Sequence, residues 1–163
     1  MLSLRPLTEL FNLQSCEFMD KMPVVTKNLL AINVLAFFAT LAAAKNGIDL
    51  DSVLGLHFFM AEDFRLYQLV TYMFMHGGFM HLFFNMFALW MFGRDLEWEL
   101  GWKRFLAYYI ICGVGAAVVQ LGMAEIDLLR LPDYSPRYWE YLYTPTVGAS
   151  GAIFGLLLAF GML

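Results

Sequence analysis

The chain has 163 residues, of which 61% are hydrophobic and only 15% charged, with a mean hydropathy of +0.64. That balance excludes an ordinary soluble domain, where about a quarter of the residues are charged. The formal net charge of −4, without a basic patch carrying interleaved aromatics, excludes nucleic acid as the expected partner and leaves the lipid bilayer.

Residues 1–27 form a polar leader. Pro6, Glu9 and Glu17 interrupt what would be the apolar core of a secretory signal, so the segment reads as an uncleaved leader. Cys16 falls here and Cys112 in the third apolar run, which predicts neither a disulfide nor a metal site. Uncharged runs at 28–44, 66–93, 105–124 and 141–163 provide for four membrane helices of about 20 residues. The predicted helices cover about 24–44, 79–99, 103–124 and 150–163, with loops at 45–78 and 125–149. The first loop alternates apolar, aromatic and charged residues and reads as short interfacial helices. The second, with Pro132, Pro136 and Pro145, reads as interfacial with a re-entrant end.

Lys and Arg set the expected orientation. Arg5, Lys21 and Lys27 in the leader and Arg94, Lys103 and Arg104 in the 94–104 link outweigh Lys45, Arg65, Arg130 and Arg137 in the other loops. The leader and that link are therefore expected in the cytoplasm, and the two loops on the outer face. Such a chain suits a bacterial plasma membrane.

Residues 76–85, HGGFMHLFFN, place two histidines and an asparagine in a run without charge. Polar groups are costly at membrane depth and usually mark a functional interior. Gly77-Gly78 is a natural break. On a helix starting near Phe79, His81 and Asn85 are separated by about one full turn and share one face. His76 and His81 would stand about 140° apart on a common helix, a poor chelating pair. A second cluster, TVGASGAIFG, sets Gly151, Gly155 and Ala159 on a small-residue ladder suited to close helix packing. Ser150 at its head is either a plain N-cap or a nucleophile beside helix N–H groups that favour negative charge.

HGGFMHLFFN followed by GASGAIFG at 148–155 resembles the rhomboid family of intramembrane serine proteases, and the likeness extends to Phe64-Arg65 and to Glu97 and Gly101 in EWELG. It covers residues 28–163 and implies an all-α polytopic membrane fold, a rhomboid-like helical bundle with four of the expected six membrane helices. By resemblance, Ser150 is the nucleophile, His81, Asn85 and the Ser150 N–H line an oxyanion hole, and His76 supports it. Arg65 would anchor the first loop, Glu97 and Gly101 would serve architecture, and Gly148 and Gly151 would allow close packing around the serine, with Gly155 structural as part of the ladder. The family's substrates are single-pass transmembrane proteins, and no metal or organic cofactor is implied. The family's general-base histidine lies on the sixth helix in a context such as A-H-x-x-G. None of His57, His76 and His81 matches it, so the expectation is a piece of a six-helix enzyme, inactive alone. Two rival readings are a catalytically inactive client-binding relative, and a haem or metal protein using His57, His76 and His81.

Overall fold

A computed structural model describes residues 22–132 and 135–162. Most of the leader, with Cys16, lies outside the described residues, as does Leu163. Eight α-helical segments follow in order among the described residues: α1 Val24–Ala44, α2 Leu50–Leu54, α3 Gln68–Thr71, α4 Phe79–Ala88, α5 Arg94–Leu100, α6 Trp102–Leu128, α7 Pro136–Tyr143 and α8 Ser150–Phe160. A 3-10 turn, Tyr72–Phe74, extends α3, and a π turn, Leu89–Gly93, joins α4 to α5. No β-strand occurs among the described residues, and the expected all-α bundle is what forms.

The polarity of the bundle is inverted. Phe38, Ile111, Val119 and Phe154 are all more than half exposed, while Thr26, Asn33, Gln68, Asn85 and Glu97 are buried. Water penalises such a surface, whereas hydrocarbon solvates it and drives polar groups inward to find partners. Helices α1 and α6 are long and apolar enough to cross a membrane by length and composition. The α4–π–α5 run over residues 79–100 adds about 33 Å of unbroken helix at 1.5 Å per residue. The chain is a multi-pass membrane protein.

Local chemistry sets the helix ends. Gly78 O accepts from Leu82 N at 3.0 Å, so α4 begins at the double-glycine break. Gly101 adopts φ +77°, a conformation that glycine reaches without a steric cost, and it ends α5 and opens α6 in one residue. Pro23 at the head of α1 has no capping oxygen, and Glu97 supplies one from another helix. Its carboxylate accepts from Val25 N at 2.8 Å, Thr26 N at 2.6 Å and Thr26 Oγ1 at 2.8 Å. Two free N–H groups of the first turn are thereby satisfied, and the negative charge sits at the positive end of the helix dipole.

Close packing joins α6 to α8. A Cβ on Gly151 would stand 2.5 Å from Ala116 Cβ, and one on Gly155 would collide with Cys112 Sγ. Tyr108 Oη donates to the Gly155 carbonyl at 2.9 Å across the same seam. Helix α8 ends at Phe160, with Gly161 N donating to Leu157 O at 3.0 Å and Met162 N to Ala159 O at 3.1 Å.

The loops depart from a simple interfacial reading. Residues 68–74 plunge into the bundle as a strap: Tyr72 Oη donates to Gly113 O at 2.7 Å, and fully buried Met73 fills the space that Gly113 leaves open. Buried Gln68 ties the loop above, accepting from His57 N and Arg65 N and donating to Val53 O and Asp63 O. Leu56 and Thr146 then exchange backbone bonds of 2.9 and 2.8 Å, bracing the first loop against the second.

Candidate active site

The site forms where the second loop enters α8. Gly148 N donates to Tyr72 O at 2.9 Å, so the strap positions the approach to the serine. Gly148 has φ +126°, open only to glycine without strain, and its missing side chain leaves the space that His81 occupies. His81 Cε1 and Nε2 both lie 2.7 Å from where a Gly148 Cβ would be, and Ser150 Oγ lies 3.8 Å from the same point. Ser150 is the first residue of α8. Ala149 stands at the cap, and no side-chain oxygen closes the first turn. Ser150 is therefore not spent as an N-cap, and the first-turn N–H groups remain available to an anion.

Asn85 lies one turn further along α4 and is buried, with Nδ2 donating to His81 O at 2.9 Å. The amide keeps a second N–H and its oxygen for other partners. Ser150, His81 and Asn85 together line one cavity of about 390 Å³ between α4 and α8. Ala88, Ile153 and Leu157 complete its apolar interior, and the exposed rings of Phe84 and Phe154 flank its mouth on the bilayer-facing side.

Sequence comparison decides the family. The profile of the Rhomboid domain matches residues 63–163. The chain belongs to the rhomboid family. It is 33% identical over 139 residues to the putative rhomboid protease YdcA of Bacillus subtilis, covering 85% of this chain and 61% of that protein. It is also 36% identical over 98 residues to RHOMBOID-like protein 5 of Arabidopsis thaliana, covering 60% of this chain and 27% of that protein. With the rhomboid protease GluP of B. subtilis it shares 29% identity over 149 residues, 88% of this chain and 25% of that protein. The chain thus spans less than two thirds of the length of each of these curated relatives.

The other singled-out residues of this rhomboid fall at separate places. His76 is 2% exposed and packs edge-on against His81, ring centroids 5.2 Å apart. The wide angular separation expected on a shared helix does not apply, because the chain turns at Gly77-Gly78 and folds His76 back beside the first turn of α4. Its Nδ1 meets Phe74 O at 3.3 Å, and its Nε2 has no hydrogen-bond partner. Burial, and then the neighbouring His81, push its pKa down to about 4, so it is neutral at neutral pH. Arg65 is exposed, and its Nη1 donates to Glu62 O and Phe64 O at 2.8 Å. His57 is held apart in the first loop, with Nε2 2.7 Å from Ser52 O. No group of three or more His, Cys, Asp or Glu side chains among the described residues could hold a metal ion.

Several positioning residues escape a sequence reading. Tyr72, Gln68, Gly113 and Thr26 brace the site or its helices, yet none belongs to a motif or carries a distinctive spacing. Only their polar atoms in apolar surroundings could have drawn attention to Gln68 and Thr26.

Proposed function

We propose that this rhomboid is an intramembrane serine endopeptidase in which Ser150 attacks the carbonyl carbon of a peptide bond within a membrane segment. The observation that carries the reading is the convergence of Ser150, His81 and Asn85 on one cavity beside the uncapped N-terminus of α8. The names of two relatives, the putative rhomboid protease YdcA and the rhomboid protease GluP, support it.

In this reading Ser150 Oγ bonds to the carbonyl carbon as the serine proton leaves to a base, and negative charge develops on the carbonyl oxygen. His81 Nε2–H, the free Asn85 N–H and the Ser150 backbone N–H donate to that oxygen. The tetrahedral species collapses with cleavage of the C–N bond, the base returns its proton to the departing amine, and water releases the acyl group from the serine. His76 supports His81 through their edge-on contact. Among the described residues no hydrogen bond joins Ser150 Oγ to a histidine, and none of them is assigned as the base. Substrates are single-pass transmembrane proteins that can present an unwound peptide bond at the cavity mouth, since a helical peptide bond is hard to attack. The 94–104 link lies in the cytoplasm and the active site opens to the outer face of a bacterial plasma membrane, in line with the Lys and Arg bias.

One observation favours a second reading, an inactive client-binding relative: the same lack of an imidazole on Ser150 Oγ. Labelling with a fluorophosphonate probe separates the two. The 163-residue chain and the chain continued through any coding sequence after Leu163 are compared, each with its Ser150→Ala variant. Labelling of the longer form, lost in the variant, supports the protease. Absence of labelling from folded protein of both lengths supports the client binder.

A further inference from the structure

A larger cavity, about 780 Å³, lies at the same end of the bundle on the other flank of α4, between the last turns of α1, the head of α2 and the start of α4. That volume falls in the range of small-molecule sites. Its character changes along its length. Phe38, Leu41 and Phe79, each largely exposed to the bilayer, form one side, and Asp49, Asp51 and His76 contribute polar groups to the other.

The polar groups share a chemical need. Asp51 Oδ1 is buried without a hydrogen-bond partner, and so is Nε2 of His76. The His76 ring places Nδ1 against the Phe74 carbonyl, which can only accept, so Nδ1 carries the proton and Nε2 is left as an acceptor. Asp49 adds a second carboxylate, one oxygen of which accepts from Ser52 N. No Lys or Arg lines the cavity among the described residues. Orphaned buried acceptors are costly, and these call for a cation that donates N–H bonds. They do not gather into a cluster that could hold a metal ion. A larger cation suits them.

We propose that this cavity binds an aminophospholipid of the surrounding bilayer, its primary ammonium donating to the Asp51 carboxylate on the polar wall that His76 shares and its acyl chains lying along Phe38, Leu41 and Phe79. Charge complementarity selects the occupant. The carboxylates repel a purely anionic headgroup, and a quaternary choline has no N–H to offer either acceptor. A lipid also matches the order of the lining, polar at the end of the bundle and apolar toward its middle. Because His76 touches His81, the bound lipid would abut the neighbour of the serine cavity without entering it.

The test is retention of lipid by the full chain. The protein is reconstituted in bilayers of equal dioleoyl phosphatidylethanolamine and dioleoyl phosphatidylcholine and extracted in mild detergent, and the retained lipid is measured by mass spectrometry. The ethanolamine lipid is expected to be retained about tenfold over the choline lipid, the ratio that one charge-assisted hydrogen bond supplies. Asp51→Asn should bring the ratio close to one. Equal retention by the unaltered chain overturns the proposal, as does a preference that survives Asp51→Asn. Should that variant fail to fold, stepwise N-methylation of the ethanolamine lipid tests the same point on the unaltered chain: retention must fall as N–H donors are removed, and indifference to methylation overturns it.

Discussion

Gly148→Ala is the smallest change that probes the site geometry. The new methyl carbon would sit 2.7 Å from both Cε1 and Nε2 of His81, against an ordinary carbon contact of about 3.5 to 4.0 Å. His81 must therefore retreat by about 1 Å. A misplacement of that size costs about 100-fold in rate when the displaced group acts at the reacting centre, and complete loss of one oxyanion donor costs about 100- to 1,000-fold. The backbone adds a penalty of about 1 to 3 kcal/mol, since φ +126° is strained for alanine. The expected outcome is a folded protein, modestly destabilised, with cleavage slowed about 100-fold or more. The assay is cleavage of a membrane-segment peptide by the form of the protein that labels with fluorophosphonate, with thermal unfolding followed in parallel. Gly122→Ala is the control, since its Cβ would meet nothing within 4 Å. A Gly148→Ala variant that cleaves at the unaltered rate would refute the placement of His81 over Gly148 as a condition of catalysis.

Glu97→Gln keeps the shape of the cap but removes its charge and one of its acceptor oxygens, so about 1.5 to 3 kcal/mol of stability should be lost, read as an earlier thermal transition in detergent. Gly113→Ala drives a methyl group into Met73, and overpacking should cost about 1 to 3 kcal/mol while loosening the strap, visible as faster amide exchange over residues 68–74. His76 makes stability depend on pH. The unfolded imidazole takes up its proton near pH 6.5 and the folded one only near pH 4, so the unfolded chain binds more protons in that interval. Its contribution is fully present above pH 6.5 and falls away as the pH drops toward 4, and a denaturation series on His76→Phe should lose this slope.

Much of the architecture is legible in the sequence, because a bilayer imposes a demand that composition cannot conceal. The runs at 28–44 and 105–124 become the long helices α1 and α6, the run at 141–163 yields the shorter α8, and the double glycine at 77–78 marks where α4 starts. The adjacency of Ser150, His81 and Asn85 rests on contacts between segments far apart in the chain, and residue types can pose it only through family likeness. The strap is illegible for a different reason. Tyr72, Met73 and Phe74 look the same whether they face lipid or helix, and what draws them inward is the bare surface of Gly113, on a helix much later in the chain. The π turn at 89–93 leaves no trace either, since a run that is apolar all round gives no periodicity to interrupt. The pairing of His76 with His81 is hidden for another reason: the break at Gly77-Gly78 is legible, but the direction in which it turns the chain, which brings the rings to 5.2 Å, is not.

The trans-cap at Glu97 also makes α1 a lever. Its first turn is clamped by three hydrogen bonds to a single carboxylate, while its last turns border the large cavity and hold on through Phe37 and a long Thr40 Oγ1 to Met75 Sδ contact of 3.9 Å. A helix of 21 residues is about 31 Å long, so a tilt of about 5° at the clamp would carry the far end through about 3 Å. Such a tilt would alter the space beside His76 while the clamped end kept its three hydrogen bonds.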